Sequence, residues 1–120
     1  MNQIDLEERL ISFSVSIIEM IQDLPLTKAN SHLGMQLLRS ATSTALNYGE
    51  ARSGESKKDF IHKIKLVLKE LRESLVCLKI ILRIRQTNNL EKVQVLLKEC
   101  DELVAIFVKL FKLPKKDCCL

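Results

Sequence analysis

The residues of this chain best suited to chemistry are cations, and they are ordered. Lys58, Lys65, Arg72 and Lys79 recur every seven residues, with Lys69 and Arg83 beside them. At about 100° per residue the six share one helical face roughly 80° wide, and no acidic residue falls inside it. Residues 55–87 hold nine basic and four acidic side chains, a local charge of +5, whereas residues 1–23 hold one basic and five acidic, or −4. Two uses fit such a row. It is either a solvated outer face, where Lys and Arg commonly sit, or a ridge roughly 30 Å long that tracks a phosphate backbone. A solvated face ordinarily mixes both signs, so the missing acids matter. The row contains no aromatic platform for stacking bases, so the second use predicts binding with little sequence preference.

A second set, Gln36, Arg39, Ser43, Asn47 and Glu50, lies at three- and four-residue spacing. Met35 and Leu46 border it, so the row faces either water or a subunit interface or channel. Arg39 and Glu50 stand about 16 Å apart along one helix, too far to pair, and each needs a partner from another helix or subunit. Constellations for catalysis are missing. The sequence has no phosphate-cradling glycine loop, no GxSxG and no HExxH. Neither His32 nor His62 has Glu three residues before it, as a di-metal bundle requires; Asp59-x-x-His62 comes nearest. Cys77, Cys100, Cys118 and Cys119 lack CxxC or Cys/His ligand spacing. Cys77 and Cys100 fall within apolar patterns and are expected to act as small buried hydrophobes. The ending Asp117-Cys118-Cys119-Leu120 is not a prenylation box, which needs Cys where Asp117 stands. No metal, no cofactor and no enzyme activity are expected.

Long helices must position these residues, and composition allows little else. At 120 residues, 47% hydrophobic and 28% charged, the chain reads as one folded domain. Three Gly, two Pro and 4% aromatics leave little material for turns and sheet. An all-α chain follows, with breaks near residues 25, 54 and 87.

The first segment, about 3–23, places Leu6, Leu10, Phe13, Ile17, Met20, Ile21 and Leu24 on one side. Ile4, Ile11 and Ile18 widen that side to an arc of roughly 200°, more than a simple surface helix uses. Pro25 ends it. The second segment, about 28–53, has Thr27 as N-cap and an apolar face of Leu33, Leu37, Leu38, Ala41, Ala45 and Tyr48. Its small residues, among them Gly34 and Gly49, suit close helix approach, and Gly54 suits a left-handed C-cap.

Ser56 with Asp59 resembles a capping box for the third segment, which runs to about Gln86. Its stripe is Phe60, Ile64, Val67, Leu71, Leu75, Leu78 and Leu82. Asn88 with Glu91 opens the fourth, where Val93, Leu96, Leu97, Cys100, Leu103, Val104, Phe107, Leu110 and Phe111 keep the helical period until Pro114. Short loops between such helices predict an up-down-up-down four-helix bundle over 1–113 and a disordered tail at 114–120. No stretch supplies the roughly 20 apolar residues of a membrane span. Acidic residues 1–8 do not resemble a secretory signal, so a cytoplasmic protein without membrane contact is expected.

Several stretches then resemble a known family. They are Gln36-Leu37-Leu38-Arg39-Ser40-Ala41, Asn47-Tyr48-Gly49-Glu50-Ala51 and Glu55-Ser56-Lys57-Lys58-Asp59-Phe60-Ile61-His62-Lys63, continued by Leu68-Lys69-Glu70-Leu71-Arg72-Glu73. Together they are similar to bacterial four-helix bundle proteins related to the ribosomal RNA intervening-sequence protein. The similarity covers essentially the whole chain, with its specific part at 36–73. It implies an antiparallel bundle assembled as a barrel-like homopentamer, with no enzymatic role. Some members are encoded inside insertions in large-subunit ribosomal RNA genes. A related branch, more basic than this +4 chain, is the accessory protein of diversity-generating retroelements and binds nucleic acid and the reverse transcriptase. Two functions are therefore expected in competition. One is a non-catalytic homo-oligomer that binds structured RNA or DNA through the basic face of the third helix. The other is a protein-interaction scaffold with no nucleic-acid contact.

Overall fold

Helices span Gln3–Gln22 (α1), Lys28–Arg52 (α2), Lys57–Ile84 (α3) and Leu90–Phe111 (α4) in a computed structural model that describes residues 3–54 and 56–112. The breaks fall where Pro25, Gly54 and the 87–89 stretch place them, and no strand occurs among the described residues. Pro114, Cys118, Cys119 and the rest of the 114–120 tail lie outside these residues.

Burial alternates at three- and four-residue steps in every helix. The buried set runs Leu6, Leu10, Phe13, Ile17, Met20 and Leu24 along α1 and into its turn. In α2 it is Asn30, Gly34, Leu37, Ala41, Thr44, Tyr48 and Ala51. The inner line of α3 is Ile64, Val67, Leu71, Ser74, Leu78 and Ile81, and that of α4 is Val93, Leu96, Cys100, Leu103 and Phe107. A 3.5-residue repeat of this kind keeps one seam turned inward along the full length of a slightly supercoiled helix. The molecule is correspondingly elongated, 47 × 20 × 19 Å. Leu33, Ala45, Phe60, Leu75, Leu82, Leu97, Val104 and Leu110, expected in the core, are only partly buried and pack at its rim.

Each helix has two backbone neighbours: α2 packs on α1 and α3, and α4 packs on α3 and α1. The contacts step in opposite chain order. Arg52 pairs with Glu7, Ser14 Oγ donates to the Ala41 carbonyl at 3.2 Å, and Ile21 lies against Gly34. Along the next seam Lys63 pairs with Glu50, Ser74 with Ser40 at 2.9 Å, and Asn30 reaches the Gln86 carbonyl at 2.9 Å. A Cβ on Gly34 would sit 3.2 Å from the Ile21 methyl, so this glycine does permit close approach. Gly49 does not act that way, because a Cβ there would meet nothing within 4 Å.

Local capping chemistry explains most boundaries. Thr27 Oγ1 accepts from the Asn30 N–H and Ser56 Oγ from the Asp59 N–H, both at 3.0 Å. The fourth helix corrects the expectation by one position: Asn89, not Asn88, caps it, its Oδ1 accepting from the Lys92 N–H at 3.1 Å. Gly54 is corrected as well. No glycine has a positive φ, because Ser53 Oγ bonds the Gly49 and Glu50 carbonyls and the Gly54 N–H bonds Ala51, closing α2 without a left-handed residue. The left-handed cap occurs instead at Arg85, φ 54°, after α3.

Across the middle of the bundle Tyr48 of α2 meets Phe107 of α4 edge to face, with centroids 5.6 Å apart and planes at 87°. Cys77 and Cys100 are buried as expected. Burial pushes the Cys100 thiol up to about 12 from an ordinary 9, with Asp101 and Glu99 adding to the shift, and burial raises Tyr48 too. Both groups keep their protons in the folded chain after the unfolded chain has lost them. The stability that Cys100 contributes is therefore full below about pH 9 and lost as pH climbs toward 12. Between about pH 8 and 10.5 the Cys100 part should amount to about 2 kcal/mol. Urea unfolding at both pH values should show the parent losing that much more than Cys100→Ala; equal losses would mean the thiol is not shielded.

Candidate nucleic-acid interface

Inward seams on α3 dictate what its outer face can be. With Ile64, Val67, Leu71 and Leu78 turned to the core, residues seven apart starting at Lys58 must turn outward. Lys58, Lys65, Lys69, Arg72, Lys79 and Arg83 are all exposed, and none pairs with a described carboxylate. From Lys58 to Arg83 the row extends about 37 Å along the helix. It is not purely basic. Val76, 55% exposed, stands in its middle, and Ile80 borders it.

Four cations outside the row, Arg9, Arg39, Arg52 and Lys63, are paired with carboxylates. Arg9 of α1 holds Glu99 with two bonds of 2.7 Å and Glu102 with one of 3.0 Å, tying α1 to α4. The hydrogen bonds it donates to Glu99 hold the Arg9 guanidinium well above its ordinary pKa, against the opposing effect of burial. Arg52 pairs with Glu7 and Lys63 with Glu50.

The polar row of α2 lies along the α2–α3 seam. Arg39 binds Glu70 at 3.3 Å and also Glu73, both on α3, and takes the Gln36 Oε1 at 3.3 Å on its own helix. Glu50 finds Lys63 on α3, while Asn47 Nδ2 donates to the Ser43 carbonyl. The partners that Arg39 and Glu50 need are thus in the same chain. Glu70 is almost fully buried, which the sequence alone does not suggest. The bordering Met35 and Leu46 are exposed.

Those two residues belong to a different surface. Ile11 and Val15 of α1 are exposed and Ile18 and Ile21 half-buried, and Ile21 shares a hollow with Met35 and Leu38 of α2. The wide apolar arc expected of α1 is therefore not consumed inside one chain. At the end of this face Leu24, Pro25, Leu26, Gly34 and Met35 line that hollow, of about 220 Å³.

A larger groove, about 460 Å³, opens on the basic face itself. Leu66, Leu68 and Phe111 are its apolar lining; His62, Lys65, Lys69 and Arg72 are its polar rim. The sequence reading missed Phe111 as part of this face. No signal in either helix alone could have found it, because the register between α3 and α4, marked by Cys100 Sγ against the Leu71 carbonyl, is set only by packing. The α3 row itself holds no aromatic, and Phe111 joins its groove from α4.

Among the described residues no group of three His, Cys, Asp or Glu side chains could hold a metal ion, and no helix is long and apolar enough to cross a membrane. Among curated proteins none matches the chain. A crystal structure of a protein of unknown function from the S23 ribosomal protein family of Bacteroides thetaiotaomicron VPI-5482 is similar in fold. Its TM-score is 0.78 at 24% identity, over 89% of this chain and 98% of that one. Residues 2–109 match the 23S rRNA-intervening sequence protein family. With that match spanning nearly the whole sequence and four helices in the expected places, the chain belongs to the 23S rRNA-intervening sequence protein family.

Proposed function

We propose that this chain is a non-catalytic, cytoplasmic homo-oligomer that binds structured RNA or DNA through the outer face of α3. The observation that carries the proposal is the set of six exposed cations without a carboxylate partner among the described residues. A phosphate backbone is the extended polyanion such a line would fit, and its binding would release counterions. If all six cations meet phosphates, log K should fall with log salt at a slope of about −4 to −5. The experiment is a salt titration of anisotropy with a labelled RNA hairpin and its DNA counterpart. Binding that ignores salt, or no binding at all, defeats this reading.

The same proposal includes an up-down-up-down antiparallel bundle, supported by the opposite chain order of the interhelical contacts. It also includes assembly, supported by the unburied apolar face of α1 and α2. Covering that face with a neighbour would stabilise by about 25 cal/mol per Å² of apolar surface. The family resemblance supplies the number five, and five chains of +4 carry about +20. Light scattering at micromolar concentration should give five chain masses; a monomer would refute the assembly.

One observation favours a second reading. Val76 and Ile80 put apolar surface into the row, as a protein-binding scaffold would require. The scaffold reading expects no salt-sensitive nucleic-acid binding, with a protein partner recovered in pull-downs.

A further inference from the structure

A duplex hides the faces of its bases, because they are stacked inside, and offers a basic ridge its phosphates and groove edges. The groove at the end of this ridge is equipped for more. Phe111 is 40% exposed, and one side of its position borders a small cleft shared with Phe60, Ile61 and Leu110. The other side borders the 460 Å³ groove, whose lining has three cations and a histidine but no acid. An exposed ring with cations around it matches a ligand that has a flat π face at one end and an anion at the other. The volume is in the range of small-molecule pockets.

We infer that the groove takes one unpaired nucleotide of a structured RNA or DNA, its base against Phe111 and its phosphate among Lys65, Lys69 and Arg72. The inference rests on the nucleic-acid reading of α3. Lys65, Lys69 and Arg72 belong both to the groove and to the row, so a strand following the row passes the ring. An acidic peptide would satisfy the cations and leave the ring without a partner of its own kind. An acyl chain would use the ring and leave the line of cations beyond the groove unexplained. A stacked base is also sequence-tolerant, since every base has a π face.

The chain contains no Trp, so Phe111→Trp creates a single fluorescent reporter at the groove. Three proteins, the parent, Phe111→Trp and Phe111→Leu, are titrated with a blunt RNA hairpin and with the same hairpin carrying a short oligo-U overhang. The overhang should quench the Trp emission, and it should bind the parent roughly 5- to 100-fold tighter than the blunt hairpin. Phe111→Leu, which keeps an apolar lining, should lose most of that preference and retain the affinity and salt slope of the blunt hairpin. Equal binding of the two hairpins without quenching overturns the groove assignment and leaves the ridge intact. An undiminished overhang preference in Phe111→Leu overturns it too. If neither hairpin binds in a salt-dependent way, the reading of α3 itself fails and takes the groove with it. Quenching by phosphatidylglycerol vesicles or polyglutamate, but not by the overhang, overturns the inference in favour of lipid or acidic peptide.

Discussion

Replacing Lys58, Lys65, Arg72 and Lys79 with Gln is expected to weaken RNA or DNA binding by up to about a thousand-fold near 0.1 M salt. Each phosphate contact contributes about 0.7 to 0.9 to the salt slope, so losing four should flatten it by about 3. At 0.1 M each unit of slope is worth about one decade of affinity, which sets the size of the loss. The fold should be indifferent to the change. All four residues are exposed and none has a described carboxylate partner, so no buried charge is stranded by their loss. Gln is nearly as good a helix former as Lys or Arg. Circular dichroism should therefore show unchanged helicity. Equal affinity and equal slopes for parent and variant would rule out this face as the binding surface.

Phe107→Ala should cost about 3 to 5 kcal/mol, a large part of the roughly 5 to 15 kcal/mol that holds a domain of this size together. Phe107 is fully buried, and its partner Tyr48 is as well. Their edge-to-face contact joins α2 and α4, helices that are not backbone neighbours. Truncation removes that pair and opens a cavity at the centre, where four surrounding helices limit collapse. Phe107→Leu keeps most of the volume and should cost about 1.5 kcal/mol or less. Urea unfolding of both variants measures the difference. A cost under about 1.5 kcal/mol for Phe107→Ala would show that the centre relaxes to fill the space.

What could be seen in the residues beforehand was local. Thr27 and Ser56 announced helix starts because a cap bonds an N–H only three residues away. Asn88 and Asn89 offer the same cap chemistry at adjacent positions, so choosing between them needed the backbone. The exposure of the basic row followed from helical period alone. The partners of Arg39 did not, because Glu70 and Glu73 reach it only through the register between α2 and α3. Phe111 beside Lys65 and Arg72 depends on the register of α4 in the same way. Residues brought together by packing two helices carry no mark of it in either helix alone. The apolar surplus of α1 was legible, and Ile11 and Val15 do remain exposed in the single chain.

The alternating three- and four-residue burial of all four helices restricts how relatives of this chain can vary in length. One residue inserted within α2, for example, would turn everything beyond it by about 100° and carry Tyr48 and Ala51 out of the seam. Seven inserted residues turn it by only about 20°, which supercoiling absorbs. Such a step also adds about 10 Å, and its neighbours must grow alongside or leave the new apolar positions uncovered. Viable bundles of this plan should therefore lengthen by whole heptads in packed helices together, while the turns near 25, 55 and 87 drift one residue at a time.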